Sequence, residues 1–165
     1  TLNGLADVAL AQGDRASARR LYDESLAGFQ QIEDDSGAGG VLRDLGDLAR
    51  KEGDYLRAST LYKEALVIFG KIGHRRGMAR MLELLAGCAG YQNCPERARK
   101  LAGSAWAIRE KLGTPLSAAE REELDEVLRQ TRGNLTTEDQ AKAWAEGSAM
   151  TLDQTLEYAL AAEAG

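Results

Sequence analysis

Leu45 to Gly77 reads LGDLARKEGDYLRASTLYKEALVIFGKIGHRRG, and forty positions earlier Leu5 to Gly37 reads LADVALAQGDRASARRLYDESLAGFQQIEDDSG. At this offset Leu45, Asp47, Ala49, Gly53, Asp54, Ala58, Leu61, Tyr62, Leu66, Phe69 and Ile72 fall on Leu5, Asp7, Ala9, Gly13, Asp14, Ala18, Leu21, Tyr22, Leu26, Phe29 and Ile32. Self-similarity at a fixed period marks stacked supersecondary units, each too small to bury its own apolar face. Each copy reads as a helix, a tight turn and a longer second helix. The turn is Gly-Asp: Gly takes the left-handed conformation at a helix end, and Asp accepts the free amides of the next helix. Arrays of this kind offer a surface, so the repeat points to binding.

Residues 2–12 form the first predicted helix, with Leu2, Leu5, Val8 and Ala9 on one face. The second runs from about Arg15 to Glu33, its apolar positions stepping by three and four. Asp34 to Gly40 carries three glycines and reads as the connection between repeats. In the second copy the helices are expected at Val41 to Glu52 and Tyr55 to Ile72, with His74-Arg75-Arg76-Gly77 as linker. A weaker third copy keeps the register through Leu85, Ala89, Ala98, Leu101, Ala105 and Ile108. Its turn has become Asn93-Cys94-Pro95, and Trp106 and Arg109 stand where Leu66 and Phe69 stood.

After Pro115 the period stops. Ser117-Ala-Ala-Glu120 has the capping-box spacing and opens a helix to about Thr131. Thr136 or Thr137 caps another as far as Met150, and Thr151 a last one to Ala162. Residues 1–113 carry 17 basic and 15 acidic side chains, whereas 114–165 carry 4 and 11. This asymmetry predicts a boundary near Gly113-Thr114-Pro115. The expected organisation is repeat one at 1–40, repeat two at 41–77, repeat three at 78–113 and capping helices at 114–165. The fold class is all-α, a right-handed superhelical solenoid of helical hairpins with a C-terminal helical cap.

The middle copy resembles the tetratricopeptide repeat family through Leu42, Leu45-Gly46, Ala49, Gly53-Asp54-Tyr55, Ala58, Tyr62 and Ala65. In that pattern small residues let two helices approach and the aromatic fills the hole between them. The period is about six longer than the usual 34, and Gly70 stands where a terminal proline is expected. Residues 103–117 and 143–160 are similar to the closing segment of bacterial multidomain regulators. These join a DNA-binding domain of the LuxR or SARP type, or a cyclase, to a nucleotide-switching STAND ATPase. The resemblance implies a C-terminal sensor or scaffold, with no catalytic residue here. The chain, which begins at Thr1 within a helical pattern, is expected to be a piece of a longer polypeptide.

Little in the sequence suggests chemistry. The lone histidine, His74, sits in a charged linker and reads as a solvated loop residue. Ser36-Gly37-Ala38-Gly39-Gly40 lacks the strand before and the Lys after that a phosphate loop needs. Cys88 and Cys94 suit a reducing cytoplasm, and with no partner His they do not suggest zinc. Neither catalysis nor a cofactor is expected. The net charge of −5 disfavours nucleic acid, including at the Arg97-Arg99-Lys100 cluster, and anionic membranes. No apolar run reaches the roughly 18 residues of a membrane span. Trp106 and Trp144 lie on apolar faces and read as core.

What remains is a groove lined by the first helix of each pair. By register it presents Asn3 and Asp7, then Arg43, Asp47, Arg50 and Lys51, then Arg80, Glu83 and Tyr91. The expected partner is a protein or peptide, or another domain of a parent chain, bound without catalysis in the cytoplasm. A homodimer through the outer face of residues 1–12 is one alternative. A small-molecule sensor with a pocket between the tail and the third repeat is the other.

Overall fold

The computed structural model describes residues 1–162. Among them are nine helices and no strand. Two compact units result, one ending at Gly73 and one beginning at His74.

The first unit holds α1 (Leu2–Ala11), α2 (Arg15–Gln31), α3 (Asp35–Lys51) and α4 (Tyr55–Lys71). α1 pairs with α2 and α3 with α4, and α2 packs on α3 to stack the two hairpins. The second unit holds α5 (Arg75–Tyr91), α6 (Pro95–Leu112), α7 (Ala118–Gln130), α8 (Thr137–Ala149) and α9 (Leu152–Leu160). There α5 and α6 form a hairpin, α8 lies along α6, and α7 and α9 pack beside them.

One turn design joins the first six helices. Its middle residue has positive φ at Gly13, Glu33, Gly53, Gly73 and Asn93, and the spacing of twenty continues at Gly113 and Gly133. The next residue caps the following helix: Asp14, Asp34, Asp54 and His74 each accept the backbone N–H three positions on. The forty-residue period is therefore two steps of seventeen helical residues plus a three-residue turn.

This geometry corrects two of the expected linkers. Asp34 to Gly40 is the cap and first turns of α3, not a connection, and two of its three glycines have a packing reason. A Cβ on Gly37 would run into the Phe29 ring, and one on Gly39 would stand 2.8 Å from the Phe69 ring. Similarly, His74-Arg75-Arg76-Gly77 is helix start rather than linker. His74 itself is an exposed, non-helical residue as expected, and it also caps α5, its Nδ1 accepting the Gly77 amide at 2.9 Å.

Within each hairpin of the first unit a tyrosine spans the two helices. Tyr22 donates to Asp7 Oδ1 and Tyr62 to Asp47 Oδ1, both at 2.6 Å, with each ring buried. Gly46 lies under the Tyr62 ring, where a Cβ would overlap it. The face predicted for α1 is only partly inward. Leu5 and Val8 are 57% and 53% exposed, although their register partners Leu45 and Leu48 are buried. α3 is covered by α2 and α4, whereas α1 packs mainly on α2 in this unit.

The second unit is tied together from α6. Arg99 donates to Leu128 O at the end of α7 and to Gln140 on α8. Lys100 pairs with Glu146 of α8 at 2.8 Å, and Arg97 donates to Ala159 O at the end of α9. Helices α6 and α8 cross almost backbone to backbone at Gly103-Ser104 and Gly147-Ser148. Ser104 Oγ donates to Gly147 O at 2.9 Å and Ser148 Oγ to Gly103 O at 3.3 Å. Capping boxes at Ser117, Thr136 and Thr151 start the three tail helices.

Candidate functional site

In the first unit, the predicted groove residues lie on α1 and α3. Asn3 accepts the Ser25 hydroxyl of α2, and Asp7 and Asp47 are held by the tyrosines. Burial first, and then the Asp7 hydrogen bond, raise the Tyr22 hydroxyl well above its ordinary range, so the phenol stays a donor. Each carboxylate thus has one oxygen fixed by a rigid aromatic. The cations beside them are not isolated: Arg43 makes a 2.8 Å pair with Asp44, and Arg50 lies 3.9 Å from Asp47. Burial raises the Asp44 carboxyl, with Arg43 opposing. Lys51 is exposed. The face is therefore a mixed array of carboxylates and cations rather than a basic strip, because Asp44, which sequence register did not single out, sits beside Arg43.

The other three residues lie on α5 in the second unit. Tyr91 is half-exposed at its end. Glu83 is not a surface residue: it is buried, and Arg109 grips both of its oxygens, one through Nε and one through Nη2. The third Arg109 nitrogen donates to Thr114 O at 3.2 Å. Arg80 stands 3.6 Å from Glu83 and 3.9 Å from Glu120. The Ser117 hydroxyl, before any other group, holds Glu120 below the usual carboxylate range.

A cavity of about 280 Å³ opens beside this ion pair, between α6, the 113–116 segment, α7 and α8. Trp106 and Trp144 form one wall with ring centres 6.3 Å apart and planes inclined at 49°. The expectation that both are core residues fails for Trp106, which is 44% exposed. The helix crossing explains the pairing. Trp106 follows Gly103 by three residues on α6, Trp144 precedes Gly147 by three on α8, and the helices run in opposite senses. The two Gly-Ser dipeptides, each three residues from a tryptophan, were the available sequence signal.

Residues 1–69 match the family model of the tetratricopeptide repeat. That span covers α1 to α3 and most of α4, the two hairpins that carry the Tyr–Asp pairs. Repeats of this family generally scaffold contacts between proteins and are typically non-catalytic. No curated protein and no solved structure matches the chain. Among the described residues, no helix is long and apolar enough to cross a membrane.

Proposed function

We propose that this chain is a non-catalytic recognition module that binds a protein or peptide segment along α1 and α3 of its first unit. It serves as the sensor or scaffold end of a larger bacterial signalling or transcription regulator. The observation that carries this reading is the repeated Tyr–Asp pair. Tyr22 and Tyr62 hold Asp7 and Asp47 in the same pose, one repeat apart, each with a second oxygen left to accept from a ligand. Pre-organised acceptors lower the cost of ordering a site on binding. Arg43, Arg50 and Lys51 beside them supply donors for carboxylates or main-chain carbonyls, and a mixed array favours one register of a bound segment over its neighbours.

The test is a pull-down with the 165-residue chain and two variants. Asp47→Asn keeps an acceptor for Tyr62 and removes the charge. The triple change Arg43→Glu, Arg50→Glu and Lys51→Glu inverts the cations. Partners retained by the parent and lost from both variants, with helicity unchanged, support this face. Partners indifferent to all four changes count against it.

A second reading, homo-oligomerisation, has the exposed Leu5 and Val8 in its favour, since their register partners are buried. A mass that rises with concentration, and reverts to monomer in Leu5→Lys with Val8→Lys, would select it.

A further inference from the structure

The cavity beside Trp106 lies wholly in the second unit and breaks the repeat at two positions. Leu26, Leu66 and Trp106 are equivalent by register, as are Phe29, Phe69 and Arg109. Leu66 is completely buried and Phe69 packs on Gly39, whereas Trp106 opens to solvent and Arg109 turns to Glu83. Apolar filling has thus been replaced by an aromatic wall and a neutralised polar floor.

We infer that this cavity is a binding site for a small organic cation: a compact apolar or aromatic body bearing one ammonium or guanidinium group. The volume of about 280 Å³ lies at the lower end of ligand pockets, room for one side-chain-sized molecule. Leu116, Leu124 and the tryptophans supply apolar area for the body. The indole faces are electron-rich, and a cation over them is attracted by the ring quadrupole. The charge of Arg109 is already neutralised by Glu83, and three of its five N–H donors are spent on Glu83 and Thr114 O, so it leaves no net positive charge for an anion. The wall charges that remain are Glu110, Asp125 and Arg121, none of which makes an ion pair among the described residues. Their sum is negative, so a cation is the charge the cavity complements. The two indoles stand too close together to sandwich a third ring, so the ligand stacks on the open face of Trp106.

Trp106 and Trp144 are the chain's only tryptophans, so tryptophan emission, excited selectively over the five tyrosines, reports on this cavity alone. The full chain is titrated with phenethylamine, protonated at neutral pH, and with its neutral and anionic analogues 2-phenylethanol and 3-phenylpropionate. The amine should change tryptophan emission saturably with Kd of order 1 mM, as fits a fragment of this size. The alcohol should bind at least threefold more weakly and the carboxylate not measurably. Glu110→Gln with Asp125→Asn, both at exposed positions, should bring amine and alcohol to equal affinity without changing the melt. Trp106→Leu, which restores the residue of the earlier repeats, should abolish the response of Trp144 to the amine. N-acetyl-argininamide distinguishes the sources of the cation: binding as tight as the amine assigns it to a peptide side chain, and weaker binding to a free amine. A carboxylate that binds as well as the amine, or no saturable change with any probe, overturns the assignment.

Discussion

Gly147 of α8 lies against the carbonyl of Lys100 on α6 with no room for a side chain between them. A Cβ there would overlap backbone, which cannot turn aside as a side-chain end can. Gly147→Ala should therefore cost about 3 kcal/mol, the upper range of overpacking, despite the better helix propensity of Ala. Gly87→Ala and Gly28→Ala meet nothing within 4 Å on their helices and should each stabilise by about 0.5–1 kcal/mol. Denaturant melts of the three variants decide this, and tryptophan emission should shift to the red only in the first.

The Glu83–Arg109 pair predicts an asymmetry between single and double substitution. Glu83→Ala leaves a buried guanidinium without its carboxylate and should cost about 3–5 kcal/mol. Glu83→Leu combined with Arg109→Phe, the residue of the two earlier repeats, should lose less than half of that. A double-mutant cycle of chemical melts measures the difference.

Two turns depart from the common design, and repairing them should stabilise the chain. Glu33 holds a left-handed φ of 55° where three of the other four turns have Gly and one Asn. Glu33→Gly should gain about 1 kcal/mol. Cys94 precedes α6 without a side-chain cap, and Cys94→Asp, matching Asp14 and Asp54, should gain about 0.5–1 kcal/mol. Additive shifts in the two variants would confirm that the turns are independent.

Alkaline pH should loosen the first hairpin. The folded state holds the Tyr22 hydroxyl above its ordinary 10.0, so the neutral phenol favours folding at any pH below that value. Above about pH 10 the unfolded chain loses this proton while the folded chain keeps it, and stability falls. Tyr22→Phe should be less stable at pH 7 yet show a shallower decline between pH 10 and 12, measured by helicity against urea.

Much of this molecule was legible in residues near one another in the chain. The Gly-Asp turns, the helices they separate, the capping boxes at Ser117, Thr136 and Thr151, and the Tyr22/Tyr62 register all depend on local spacing. The glycines at 37–40 were misread for a definite reason. In isolation Gly disfavours helix, and only the Phe29 and Phe69 rings, supplied by other helices, make it the residue that fits at positions 37 and 39. The 74–77 stretch differs from a linker for the same kind of reason, because its role is recognised only when the following helix is seen to begin at Arg75.

The candidate sites divide along the same line. Sequence register by itself determined that Asp7 and Asp47 are equivalent, by the forty-residue repeat, and that Asp47 shares a face of one helix with Arg43, Arg50 and Lys51, by helical periodicity. It could not assign Glu83 to the interior, since its partner Arg109 is twenty-six positions away. Nor could it place Trp106 beside Trp144, which depends on two backbones meeting at Gly103 and Gly147. Helix periodicity is local and written into the chain, whereas charge neutralisation and cavity formation depend on which distant helices pack together, and tertiary structure alone decided those.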